Sequence, residues 1–300
     1  MNDTILRKEN TNLGFIGLGL MGSRFLRRLH AEGWRVRGWN RSRTATLALR
    51  EDGFQIEETL PSLVQGSDVL LSSLANDDAV RAVYLGDDGL FAHVQPQTVI
   101  LEMSTISPDL SALLHREAAK RGAKLIDLPV SGSTPAVEAG TVTLFGGGEP
   151  ETFSRCVPIF QSIAKQWYLM GPATAGIRMK LVVNLLLGIN MEAIAEAVSL
   201  GEHLQLNRNV LLDVLPKTAV IAPAFAGKFS KIKSNDYSPQ FPLHLMSKDL
   251  NLVQSVAGQL DAELPAGSAT GRIFEEALAD RGELDISAVA SYVRTLGTQS

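Results

Sequence analysis

Residues 15–22 read Phe15-Ile16-Gly17-Leu18-Gly19-Leu20-Met21-Gly22, set between an apolar run, Leu13–Ile16, and a basic stretch, Ser23–His30. The run has the composition of a buried strand, and the stretch after Gly22 that of a helix. A strand that turns through Gly-x-Gly-x-x-Gly into a helix receives a dinucleotide pyrophosphate. Gly17 permits the tight turn, Gly19 leaves the backbone bare to the phosphates, and Gly22 lets helix and strand pack closely. The helix N-terminus then offers free N–H groups and a partial positive charge. Leu18, Leu20 and Met21 complete the loop and are expected against the cofactor with the glycines.

The second strand bears on which dinucleotide is held. Trp34–Trp39 alternates apolar and polar residues, then ends in Asn40-Arg41-Ser42-Arg43. A site selective for NAD places Asp or Glu here, accepting from the ribose 2′-hydroxyl. Neutral Asn40, the Arg41 guanidinium and the Ser42 hydroxyl suit a 2′-phosphate instead. The expectation is NADP, as NADPH; the competing reading makes Arg41 and Arg43 ordinary surface charges.

Strands and helices alternate through the first half. Further strands are expected at Ser67–Leu74, Gln97–Met103, Lys124–Leu128, Thr141–Phe145 and Gln166–Leu169. Helices are expected near Arg43–Glu51, Asp77–Tyr84, Asp109–Arg121 and Glu149–Ile163. The character changes at Gly171-Pro172. One long helix fits Ala175–Leu206, apolar on nearly every face, and only helical patterns follow: 209–216, 223–229, 242–257, 265–280 and 286–296. The fold class is α/β: a Rossmann-type doubly wound parallel sheet followed by an all-α C-terminal domain. Residues 1–174 form the NADP-binding domain and 175–300 the substrate and oligomerisation domain.

Composition narrows the function. The 300 residues carry a net charge of −4 and 45% hydrophobic side chains, enough for two full cores. No basic cluster is large enough for a nucleic-acid face. No run of about 18 uncharged apolar residues suggests a membrane span, and the polar segment Met1–Asn12 lacks the apolar core of a signal peptide. The single cysteine, Cys156, excludes an intrachain disulfide and fits a cytoplasmic protein. The five histidines are widely spaced and show no metal-ligand pattern, so no metal is expected.

Three segments carry possible chemistry. Asp127-Leu-Pro-Val-Ser131-Gly132-Ser133 runs from a strand into a turn of hydroxyls and backbone N–H groups that suits a carboxylate. Lys180 and Asn184 share one helix face and interrupt an apolar segment. Hydride transfer to a carbonyl builds negative charge on oxygen, which an ammonium stabilises and protonates. The competing reading lets Lys180 snorkel to the surface. Phe241 and the pair Lys248-Asp249 form the third segment: pocket wall and second cation, or core aromatic and surface ion pair.

Together these segments resemble the β-hydroxyacid dehydrogenases, which include 3-hydroxyisobutyrate dehydrogenase, tartronate semialdehyde reductase and the glyoxylate/succinic semialdehyde reductases, over roughly Leu13–Leu296. Gly17–Gly22 resembles the cofactor loop, Asp127–Gly140 the substrate signature, Gly176–Asn184 the catalytic helix, and Lys248-Asp249-Leu-Asn-Leu the C-terminal cofactor segment. The resemblance implies Lys180 as catalytic acid/base with Asn184 beside it. Ser131, Gly132 and Ser133 would hold the substrate carboxylate, and Phe241 and Asp249 would border the site. Leu74, Thr105 and Lys248 would contact the cofactor. It also implies a homodimer or homotetramer joined through the helical domain. Ser133 replaces a common second glycine, Ala136-Val137 replaces Gly-Ala, and Glu102 stands where many members have Asp. Val183 occupies the place of a histidine in the decarboxylating 6-phosphogluconate enzymes, and imine reductases usually lack the lysine. The expected function is an NADPH-dependent reductase of small aldehyde acids (glyoxylate, succinic semialdehyde or related), or the reverse oxidation of a β-hydroxyacid. The alternatives are an imine or ketone reductase of the same fold, or a catalytically silent NADP-binding scaffold.

Overall fold

The computed structural model describes residues 5–296; the outermost residues of both expected domains, 1–4 and 297–300, and with them the start of the polar N-terminal segment, lie outside it. The chain divides into two compact units between Lys180 and Leu181, within the helix Ala175–His203.

The first unit is built on a sheet in the order β2-β1-β3-β4-β5-β7-β6, with β8 added beside β7. The strands are β1 (Asn12–Ile16), β2 (Arg35–Trp39), β3 (Val69–Ser72), β4 (Val99–Glu102), β5 (Lys124–Asp127), β6 (Val130–Ser131), β7 (Val142–Gly147) and β8 (Ala164–Gly171). The first five run parallel. Alternation along the strands separates two cores. Leu13, Phe15, Val69, Leu71, Val99 and Leu101 face one layer, which includes the helix Gly22–Ala31 through Phe25, Leu26 and Leu29. Ile16, Leu70 and Ile100 face the other, filled by Leu63, Val80, Tyr84, Leu110 and Leu114. Successive side chains point to opposite faces of a strand, so helices must cover both.

Register decides where function can gather. Trp39 pairs with Ile16, Ile16 with Ser72, Ser72 with Glu102, and Glu102 with Asp127. The carboxyl ends of five strands therefore form one row. The segments beginning at Asn40, Gly17, Ser73, Met103 and Leu128 leave the sheet along a single edge.

Several elements differ from the sequence reading. β7 runs antiparallel to β5 and β6, an inversion at the far edge of the sheet. The expected turn after β5 contains the two-residue strand β6 and the short helix Thr134–Glu138, both too brief to show a period. The helix expected at Glu149–Ile163 breaks at Cys156 into Pro150–Arg155 and Val157–Ile163. Pro158 has no N–H to donate, and its ring would clash with the carbonyl of Ser154 in an unbroken helix. The helices Leu60–Gln65 and Leu90–His93 were not expected.

The second unit is helical. Among its described residues the only extended pairing is an isolated bridge between Pro242 and Asp285. Its core gathers Met191, Ile194, Ala195 and Val198 with Phe229, Leu243, Met246, Leu250 and Phe274. The helix Ala175–His203 is long and apolar enough to cross a membrane, with a mean hydropathy of 1.6 over its 18-residue window. Met191, Ile194, Ala195 and Val198 along it are enclosed by protein, whereas Val182, Leu186 and Leu200 are more than half exposed.

Candidate functional site

The glycine loop leaves β1 at Gly17, whose φ of 87° lies in the left-handed region, and whose N–H donates to Trp39 O. A Cβ on Gly17 would stand 2.4 Å from Ser73 O and 2.8 Å from the Leu74 side chain, so the loops after β1 and β3 are pressed together. A Cβ on Gly22 would meet Gly17 O at 1.8 Å, which fixes the first turn of the helix Gly22–Ala31 directly against the loop. A Cβ on Gly19 would have nothing within 4 Å. That open approach beside a helix N-terminus fits a dinucleotide pyrophosphate. Leu18 is buried and packs into the first core, Met21 packs partly against it, and Leu20 is exposed.

Asn40 braces this loop. Its Oδ1 accepts from Leu18 N at 3.0 Å and its Nδ2 donates to Ser42 O at 3.1 Å. Arg41 and Ser42 are exposed. Arg43 pairs with Glu58 at 3.5 Å, whereas Arg41 has no ion pair among the described residues. The carboxylate that would mark a 2′-hydroxyl site is thus replaced by an amide turned to the backbone.

Beneath the neighbouring loops lies a buried polar network that the sequence reading missed. The Tyr84 hydroxyl lies 2.6 Å from Ser72 Oγ, and Ser72 donates to Glu102. Glu102 also accepts from Ser104 N at 2.7 Å, and Ser104 Oγ accepts from Leu74 N at 2.8 Å. Burial pushes the Glu102 carboxyl above its ordinary range and does the same to Tyr84. The only sequence signal was a carboxylate closing an apolar strand, Val-Ile-Leu-Glu. The network holds Leu74 and the segment leading into Thr105, two expected cofactor contacts.

Ser131 ends in β6, paired with Thr143 of β7. Gly132 follows at φ 148°, where a Cβ would come within 2.8 Å of Val142. Ser133 occupies the N-cap position of the helix Thr134–Glu138, yet its side chain makes no capping bond. Ser131 and Ser133 are half-buried and Gly132 is exposed, so two hydroxyls border one exposed backbone position.

Lys180 and Asn184 lie one turn apart on the helix Ala175–His203. Both are buried, Lys180 at 8% exposure and Asn184 at 0%, so Lys180 does not snorkel. In the helical unit, Asn184 Nδ2 donates to Asp249 Oδ2 at 2.5 Å. Asn184 Oδ1 is buried with no hydrogen-bond partner among the described residues. Lys248 Nζ lies 2.7 Å from Asp249 Oδ1, an ion pair. The pair is not a surface one, because Asp249 is 2% exposed. Phe241 packs partly into the helical core, and its N–H donates to Asp285 at 3.2 Å. Asp285 also takes both of its oxygens to within 2.8 Å of the buried Lys228 Nζ. Among the described residues no group of three or more His, Cys, Asp and Glu side chains is arranged to hold a metal.

The profile of the NAD-binding domain of 6-phosphogluconate dehydrogenase matches residues 12–171. That of the NAD-binding domain of NADP-dependent 3-hydroxyisobutyrate dehydrogenase matches residues 174–293. The chain belongs to the β-hydroxyacid dehydrogenase family. It is 33% identical to 2-(hydroxymethyl)glutarate dehydrogenase of Eubacterium barkeri, over 94% of each chain. It is 34% identical to the NAD-dependent L-serine dehydrogenase of Pseudomonas aeruginosa, over 85% of this chain and 88% of that one. The structure of Mycobacterium tuberculosis 3-hydroxyisobutyrate dehydrogenase with L-serine superposes with a TM-score of 0.84 at 30% identity, covering 95% of this chain and 99% of that one. The protein is an NAD(P)-dependent oxidoreductase of the hydroxyacid dehydrogenase type. The similar proteins name both NAD and NADP.

Proposed function

We propose that this family member is an NADPH-dependent reductase of small aldehyde acids, glyoxylate and succinic semialdehyde among them, and that it also runs the reverse oxidation of the β-hydroxyacid. The observation that carries the reading is a buried amine, Lys180, one helical turn from a buried amide, Asn184, whose oxygen has no partner. A buried acceptor without a donor is costly. A substrate hydroxyl supplies that donor, and its oxygen takes the proton from Lys180 as the carbonyl becomes an alkoxide.

A nicotinamide cofactor, when bound, would supply the hydride for the carbonyl carbon. The chain's own residues do the rest. Lys180 protonates the developing alkoxide, Asn184 orients the resulting hydroxyl, and Asp249 holds the Asn184 amide. Ser131, Gly132 and Ser133 take the substrate carboxylate, with Phe241 and Asp249 bordering the pocket. Gly17–Gly22, Leu74, Thr105 and Lys248 hold the cofactor, and Asn40, Arg41 and Ser42 take the 2′-phosphate. In this reading residues 1–174 serve the cofactor, and 175–300 serve substrate and assembly. Leu200, Leu204, Leu206, Val210 and Val214 are each more than half exposed, which supports a homodimer or homotetramer joined through the helical domain.

The test is NADPH oxidation against glyoxylate, succinic, tartronate and methylmalonate semialdehydes, and a cyclic imine, with wild type and Lys180→Ala. Wild type is expected to turn over at least one aldehyde acid. The variant should lose about 10²–10⁴ in kcat, the scale of a general acid, with NADPH binding kept. Turnover of the imine alone would favour the imine reductase reading. NADPH binding without turnover of any compound would favour the silent scaffold.

A further inference from the structure

We propose that Asp127 is a positioning residue for Lys180. Its buried carboxylate pins the first turn of the helix that carries the amine to the strand end from which the Ser131–Ser133 loop departs. The proposal rests on the reading of Lys180 as proton donor.

Asp127 closes β5 and is 2% exposed. One carboxylate oxygen, Oδ1, accepts from Thr174 N at 2.8 Å and from His115 Nε2 at 2.9 Å. The other accepts from Ile177 N at 2.8 Å. A helix leaves its first N–H groups without internal partners, and a charged acceptor is the strongest group to answer them. Here one side chain answers two donors at the start of Ala175–His203, and His115, from the helix Pro108–Lys120, holds it from a third side.

The approach is too close for side chains. A Cβ on Gly147 would stand 2.6 Å from Asp127 Oδ1 and 2.6 Å from Gly176 N. A Cβ on Gly176 would stand 2.3 Å from Phe145 O. Thr174 adopts φ 74°, a left-handed conformation costly for a β-branched residue and retained only where its surroundings impose it. Two bare glycines, one strained threonine and one carboxylate thus set the helix start against the sheet. Lys180 follows Ile177 by three residues, less than one turn further along a rigid rod. A shift of the first turn therefore moves the amine, and misplacement of a reacting group by about 1 Å is enough to lower a rate about 10²-fold.

Asp127→Asn keeps the shape. Its amide oxygen still serves Thr174 and His115, while its NH₂ faces the N–H of Ile177. The expected result is a kcat about 10- to 100-fold lower, with KM for the aldehyde acid and Kd for NADPH within about threefold of wild type. Hydrogen exchange should quicken in the segment 174–181 alone. Wild-type kcat would overturn the proposal, and so would a parallel loss of NADPH binding, which would make Asp127 a general support of the fold. Should the variant fail to fold, His115→Leu removes one of the three bonds, since leucine has no donor. It is expected to lower kcat a few-fold at unchanged NADPH affinity, and wild-type kcat there would overturn the proposal. If wild type reduces no aldehyde acid, the proton-donor reading fails by itself. Exchange over 174–181 in Asp127→Asn then still decides whether the carboxylate anchors the helix.

Discussion

Two alanine substitutions three positions apart in the glycine loop, at Gly22 and Gly19, separate folding from cofactor binding. At Gly22 the added methyl carbon would stand 1.8 Å from Gly17 O and 3.0 Å from the Phe15 ring. Real Cβ atoms essentially never come within 3.0 Å of such neighbours, so strand and helix must part by about 1.2 Å. Backbone faces backbone there, and no rotamer change relieves it. Overpacking of this kind costs about 1–3 kcal/mol, at least the upper half of which applies to a rigid contact. For a unit of this size that is about 4–12 °C in Tm. At Gly19 the methyl would meet nothing in the protein, and its φ lies outside the left-handed region, so Tm should hold or rise slightly. On the proposed cofactor site it would stand in the way of the pyrophosphate, and the expected loss is then at least about tenfold in Kd, or about 1.4 kcal/mol. Thermal melts with and without NADPH, and an NADPH fluorescence titration, read both arms. Gly22→Ala with a wild-type Tm would refute the packing argument, and Gly19→Ala with wild-type affinity would show that the phosphates lie elsewhere.

Arg41→Ala should raise KM for NADPH much more than KM for NADH; equal effects on both cofactors would remove the 2′-phosphate role. Lys228→Met strips the buried Asp285 of its countercharge and should destabilise the protein by about 3–5 kcal/mol, read as the denaturant midpoint multiplied by m. Glu102 has its folded carboxyl raised by burial, so its contribution is present below the ordinary value of 4.5 and lost as pH rises toward the raised one. Glu102→Gln should remove that decline, and a variant whose stability falls over the same window as wild type would contradict it.

The parts legible in sequence were those with a period or a punctuating residue. Leu13, Phe15 and the glycines after them specify a strand, a turn and a helix in succession, and Asn40-Arg41-Ser42 stands where the second strand must end. The all-round apolar run after Gly176 reads as a helix covered on every side, but within this chain only part of it is: Met191, Ile194, Ala195 and Val198 are enclosed, while Val182, Leu186 and Leu200 are exposed. Asn184 was legible as an interruption of that run. Its partner, Asp249, was named as a site neighbour, but a bond across 65 positions leaves no local pattern. The reversal of β7 was not legible, since a single strand carries no direction in its composition. Thr134–Glu138 and β6 escaped because five residues are fewer than two helical turns and two residues are a single strand period, too few for a pattern to repeat.

The hidden supports share one design. A loop that must admit a cofactor or substrate cannot be fixed by packing apolar side chains into the same space. Its anchors have to lie beneath it, on the strand end, and have to be directional. Glu102 and Asp127 are paired neighbours in the strand-end row, and each carboxylate reaches backbone N–H groups of the segment it steadies: Ser104 for one, Thr174 and Ile177 for the other. In the helical unit Asp285 does the same for Gln240 and Phe241, with Lys228 compensating the charge. Buried carboxylates are costly unless their bonds are complete, so each tolerates little displacement of the backbone it holds. That intolerance is what a proton donor and a hydride acceptor require, since both depend on sub-ångström placement. In sequence such an anchor shows only as one acidic residue closing an apolar run, as in Val-Ile-Leu-Glu102 and Lys-Leu-Ile-Asp127, and it acquires meaning when the register brings the two side by side.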